Sequence, residues 1–328
     1  ELLGARRLDG ARQFFTRAVD YGFSKSAEEA FRHWPRDSLL ADVVAVIRRY
    51  RPDVIVAVFS GTPLDGHGQH QASGILALEG FLAAGDPTRF PEQIRAGLRP
   101  HRPSQFYWSG RFSASGPDVE LATGGLDPLL GRSYHQVAMA SRSRHRSQDM
   151  GMPQAPGPRR TGFDRIDPSD PPPPERRGSW GGLEEGVTAE STTLFVGVDS
   201  LLSQRARSAQ AGATGDERRF LDRAVTALGG YEDLVAGARD RFDALEPWSI
   251  LPALDRAHAM LAGLVDVAER RTLAPDLLFH LRAELADLRE ARLRAANVEL
   301  DVVAREDLVV PGQAFELELS VWNGGVAP

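Results

Sequence analysis

The stretch from Arg51 to Gly85, RPDVIVAVFSGTPLDGHGQHQASGILALEGFLAAG, constrains the fold more than any other part of the sequence. Val54 to Phe59 is an unbroken apolar run rich in β-branched residues, the pattern of a strand buried on both faces. A loop of Gly, Pro and Asp, Ser60 to Gly66, then delivers His67 and His70 to the start of a helix. Ile75, Leu78, Phe81 and Leu82 recur along that helix at helical spacing, and Gly85 before Asp86-Pro87 predicts its stop. Upstream, Ser38 is the expected cap of a helix carrying Leu39, Leu40, Val43, Val44 and Ile47. Ser38 to Gly85 therefore reads as helix, strand, loop, helix, which is part of a parallel α/β unit. Ligands of open α/β sheets bind beyond the carboxyl ends of the strands, which is where His67 and His70 fall.

The remaining chain divides by pattern. QFFT at Gln13–Thr16, QFYW at Gln105–Trp108 and TTLFVGV at Thr192–Val198 are strand candidates. Asp127 to Arg146 contains a helical segment with Leu129, Leu130, Val137 and Met139, ending in the basic cluster SRSRHRSQ. Asp149 to Gly182 is dominated by Pro, Gly, Arg and Asp, so it reads as a long loop. Asp216–Leu245 and Leu251–Ala296 are helical, and Leu277, Leu278, Leu281, Leu285, Leu288 and Leu293 form the core face of a helical hairpin. From Val298 the period changes to alternation, with a Pro-Gly turn between two strands, as at the opening of a β-sandwich. The first residues resemble the end of a helix and the last stop inside a strand, so a fragment cut at both ends is expected.

Composition narrows the function. A formal charge of -6 gives no general attraction to nucleic acid or an anionic membrane. Without cysteine there is no disulfide, thiolate nucleophile or Cys-ligated zinc, so a metal site would draw on His, Asp and Glu. No apolar run reaches transmembrane length. There is no GxSxG, Walker loop or GxGxxG, which argues against a covalent serine mechanism.

Two histidines at i and i+3 face one small target across a helical turn; the spacing alone is a weak signal for a metal ion against a pair of polar loop residues, and the place after a buried strand in a Gly-rich loop strengthens it. His145, beside Ser147 and Gln148, is the second candidate, against a solvated helix end. Asp20 and Asp65 are the nearest loop carboxylates, against ordinary turn chemistry. His33, His101, His135, His258 and His280 read as surface or satisfied core residues.

RPDVIVAVF…DGHGQHQASG, SRHRSQDMG and LLGARRLDGARQFFTRAVDYGFSK together resemble the PIG-L (LmbE-like) family of zinc-dependent N-acetylglucosaminyl deacetylases. The first is similar to that family's "RPDVV…GHxDH" segment and the second to its "HxSQ" element. The resemblance spans about residues 1–198, and Val298 onward is similar to the β-sandwich appended to exported bacterial members. It implies a Rossmann-like parallel sheet, incomplete at its N-terminus, followed by a helical segment and the start of a β-sandwich. The corresponding domains are 1–200, 201–296 and 297–328.

Carried over residue by residue, the resemblance implies His70 as a ligand of Zn2+ or another divalent metal. It implies His67 as the group stabilising the oxyanion as zinc-activated water attacks an acetamide, with His145 as a further catalytic residue near substrate. Asp20, Asp65 and Gln148 are the expected substrate-binding residues. Two departures stand out: the family's "HPDD" loop occurs nowhere in the chain, which is attributed to truncation, so the fragment alone is expected to bind no zinc stably and to be inactive, and Gln69 replaces the Asp that partners the first His. The implied partner is a small N-acetylated sugar or glycoconjugate, with a homo-oligomer allowed and no nucleic acid. The rival expectations are a non-catalytic carbohydrate-binding or scaffold protein that keeps the fold without the metal, and a different His/Asp metallohydrolase.

Overall fold

A computed structural model describes residues 1–109, 117–148, 151–167 and 192–325. The protein is mixed α/β, with about 51% of it helical. It divides into two compact units, Glu1–Val198 and Asp199–Pro328.

The first unit opens with α1 (Leu2–Asp9), α2 (Ala27–His33) and α3 (Arg36–Tyr50), then β1 (Val54–Ala57), α4 (Gly68–Ala83) and α5 (Pro91–Arg95). It continues with β2 (Gln105–Ser109), β3 (Val119–Ala122), β4 (Leu126–Asp127), β5 (Arg132–Ser133), α6 (Tyr134–Arg142) and β6 (Arg160–Arg165). Its main sheet has the order β1-β2-β6-β3. β1 and β2 are parallel, with Val54 opposite Gln105 and Ala57 opposite Trp108, and α4 lies on the crossover between them. β6 runs antiparallel to both β2 and β3, so the sheet is mixed rather than wholly parallel. β4 and β5 form a separate small ribbon.

Several local expectations are corrected. β1 lies at the sheet edge, and Val56 and Val58 are exposed, so this strand is not covered on both faces. Gln13–Thr16 forms no strand: Asp42 accepts from the Arg17 amide at 2.8 Å and pairs with its guanidinium, which ties the segment to α3 instead of a sheet. Thr192–Val198 turns at Gly197 (φ 71°) and attaches to β2 through side chains, Gln105 Nε2 donating to Val196 O and Tyr107 OH to Leu194 O. The loop expected from Asp149 to Gly182 contains β6, whose polar and glycine residues give no apolar alternation to read; residues 149–150 and 168–182 of that stretch lie outside the described ones. Leu129 and Leu130 are exposed in the β4–β5 turn, upstream of α6. Pro35, not Ser38, precedes the first turn of α3.

α3 packs against α4 through Leu39, Leu40, Val44, Ile47 and Leu76, while Phe81, Phe106 and Trp108 fill the space between α4 and the sheet. Arg48 is 2% exposed within this core. Its guanidinium donates to the carbonyls of Ala84, Asp86, Arg89 and Phe90, satisfying the free carbonyls beyond α4 from inside.

The second unit contains α7 (Leu202–Ala209), α8 (Gly215–Asp240), α9 (Leu251–Arg271), α10 (Pro275–Ala295) and the antiparallel ribbon β7 (Val298–Ala304) with β8 (Leu317–Asn323). The leucine stripe packs as expected: Leu277, Leu278, Leu281, Leu285 and Leu288 are buried against Leu221, Leu228, Leu254 and Leu261, and Leu293 alone is exposed. Tyr231 is buried in the same core and donates its hydroxyl to Glu284; burial and that carboxylate push its pKa up. In the ribbon, Leu300 faces Val321 and Val302 faces Leu319 across an exposed apolar face. No helix among the described residues is long and apolar enough to cross a membrane.

Candidate functional site

The loop after β1 is folded by one carboxylate. Asp65 is 3% exposed and accepts from the Ser60 amide at 3.0 Å, the Ser60 hydroxyl at 3.1 Å, the Gly61 amide at 2.7 Å and the Thr62 amide at 3.1 Å. These bonds close a capped turn over Pro63–Asp65, and Gly66 leaves it at φ 87°. The Asp65 carboxylate, expected to meet substrate, is enclosed by its own loop.

α4 then starts against two backbones at once. A Cβ at Gly68 would lie 2.0 Å from Ser26 O, and one at Gly74 would lie 2.2 Å from the Gly61 amide nitrogen. Both positions therefore demand glycine for closeness, not for backbone angle. The Gly68 amide donates to Ser24 O at 2.9 Å. Buried Gln71 accepts from the Ala27 amide at 3.0 Å and donates to Gly66 O at 2.9 Å. Gln69 accepts from Ser24 Oγ at 2.8 Å and donates to Gly22 O. Gln69 thus braces the 22–24 loop and makes no hydrogen bond to either histidine.

This frame holds four rings in a row. His67 and His70 have centroids 3.7 Å apart with planes tilted by 35°. Phe59 stacks on the far side of His70 at 3.8 Å and 15°, and Phe23 meets His67 edge-on at 6.0 Å. His70 Nδ1 is 3.1 Å from Asp65 O. A carbonyl can only accept, so that nitrogen carries a proton. His67 Nδ1 is buried and has no hydrogen-bond partner.

The other expected residues make no hydrogen bond or ring contact with the pair among the described residues. Asp20 is exposed and accepts from the Gly22 amide at 2.9 Å, shaping the loop that Gln69 braces. His145 follows α6, its Nδ1 3.1 Å from Arg142 O, and the exposed Gln148 donates its amide to His145 O. Ser147 donates through its amide and hydroxyl to Glu1, and these bonds lower the Glu1 carboxyl pKa. Neither His145 nor Gln148 makes a hydrogen bond or ring contact with His67 or His70 among the described residues. His145 and Gln148 belong to the junction of α1 and α6.

Among the described residues, no group of three or more His, Asp or Glu side chains is placed to hold a metal ion. The donor set at the pair is two stacked imidazoles, with the nearest loop carboxylate already committed, and does not by itself fit a zinc centre. Sequence reasoning overlooked Phe23, Phe59 and Gln71. Ser26 and Glu29 did carry a readable signal: Ser26 caps α2 by accepting from the Glu29 amide, and Glu29 accepts from the Lys25 amide.

Compared with known proteins, the chain matches no family model, and no curated protein matches it significantly.

Proposed function

We propose that this chain is part of an amide hydrolase that removes an acetyl group from an N-acetylated sugar or related small amide. The imidazole pair His67 and His70 is the core of its site. The observation that carries the reading is His67: a half-buried imidazole beyond the end of β1, packed against a second one, with a buried nitrogen that has no hydrogen-bond partner among the described residues. Donating an N–H from its accessible edge, such an imidazole can stabilise the oxygen that gains charge when water attacks an acetamide carbonyl. His70, its Nδ1 held by Asp65 O, packs against the neighbouring ring and fixes its position. The parallel pair β1 and β2, joined through α4, supports a Rossmann-like reading of this part of the sheet. The similarity to the PIG-L family supports the same chemistry. Because the residues around the pair do not compose a zinc centre, no step is assigned to a metal.

A second reading, a carbohydrate-binding or scaffold protein without catalysis, is favoured by the enclosed Asp65 carboxylate, which leaves the pair no free carboxylate in its own loop. Acetate release from N-acetylglucosamine and its glycosides by the protein of which this chain is part, measured with added zinc and with a chelator, separates the two. The hydrolase reading expects release that His70→Ala removes. A folded protein that releases no acetate under either condition supports the second reading.

A further inference from the structure

The helical unit carries a cavity that the proposed hydrolysis does not use. It measures about 510 Å³ and opens between the 247–250 turn, α9, α10 and the base of the β7–β8 ribbon. That size suits a small organic molecule. Trp248, Leu251 and Leu293 provide its apolar wall, and Arg289 and Arg292 provide its charge.

The two arginines are not equivalent. Arg292 is neutralised by Asp255, its guanidinium 2.6 Å from the carboxylate. Arg289 lies on the same lining and has no ion pair among the described residues. The cavity therefore keeps one uncompensated positive charge on a lining that also carries the Trp248 indole. Nearby His258 senses the same field: burial first, then Arg292 and Arg289, lower its pKa, so it adds no second cation at neutral pH.

We propose that this cavity binds a small ring compound bearing one carboxylate, the ring packed on Trp248 and the carboxylate paired with Arg289. A guanidinium is the side chain best matched to a carboxylate, and an indole offers the largest flat apolar face for a ring. One net charge in the cavity selects a monoanion over a neutral sugar. The apolar wall selects a ring over a bare carboxylate.

Isothermal titration with four probes tests this: glucuronate and benzoate as ring carboxylates, glucose as the uncharged ring, and acetate as the ringless charge. At least one ring carboxylate should bind at least tenfold tighter than both glucose and acetate. Arg289→Gln and Trp248→Ala should each weaken it about tenfold or more. Arg289 is exposed, so Arg289→Gln should melt as the wild type does, which keeps the test valid if Trp248→Ala misfolds. The proposal is overturned if neither ring carboxylate binds, if acetate binds as well as they do, or if Arg289→Gln leaves binding unchanged.

Discussion

The α4 entrance and the α8–α10 core are built on opposite principles. Around His67 the chain is held by closeness: glycines at 68 and 74 touch neighbouring backbones, and Asp65, Gln69 and Gln71 spend their hydrogen bonds on loop amides and carbonyls. Around Leu281 it is held by volume, with leucines and alanines filling one apolar interior. Removing atoms should break the second region, and adding a single carbon should break the first. Geometry of the first kind aims side chains, which is what a site requires. Burial of the second kind supplies stability without aiming anything.

The largest expected effect is in the helical core. Leu281 is fully buried, so Leu281→Ala should cost about 4 kcal/mol through lost burial and the cavity left behind, read as a denaturation midpoint shift. Gly74→Ala should cost about 3 kcal/mol, because the added methyl meets the Gly61 backbone, which cannot rotate away. Asp65→Asn should cost about 2 kcal/mol, since an amide group would face the Gly61 and Thr62 amides, donor against donor. Hydrogen exchange of the Ser60–Gly66 amides should rise with it.

The same glycine-to-alanine change should reverse sign in the other region. Gly263 lies within α9 and a Cβ there would meet nothing within 4 Å, so Gly263→Ala should stabilise by about 0.5–1 kcal/mol. A destabilising Gly263→Ala beside a harmless Gly74→Ala would erase the contrast.

The smallest effect is electrostatic. Burial tends to raise the Asp9 carboxyl, but hydrogen bonds from Arg6, the Ala11 amide and Ser141 outweigh it and hold its pKa at about 2. A depressed folded pKa gives stability that is complete above the unfolded value near 3.8 and is lost as pH falls toward 2. Acid titration of helicity should therefore show a shallower loss between about pH 4 and pH 2 in Asp9→Asn than in the wild type.

How far each region can be read in the sequence follows from the same contrast. The leucine stripe of α10 and the strand QFYW were legible because burial leaves apolar runs in the chain, and the alternation after Val298 because successive strand residues point to opposite faces. β6 was not legible, because RTGFDR offers a single large apolar residue and owes its place to partners on both sides. QFFT and TTLFVGV carried strand composition without a ladder to join. At the site, the convergence of His67 and His70 followed from their spacing. The commitment of Asp65 and Gln69 to loop backbone did not, since it depends on the 22–27 segment arriving from elsewhere. His145 shares a motif with Gln148 but packs at the α1–α6 junction, a placement that no local pattern encodes.

Comparing acetate release from an N-acetylglucosamine derivative by His67→Ala and by His145→Ala, each checked for a wild-type melting curve, tests the central claim most directly. The account predicts that His67→Ala loses about a hundredfold or more of the rate while His145→Ala stays within about threefold of the wild type. An unchanged rate in His67→Ala, or a loss confined to His145→Ala, would contradict it.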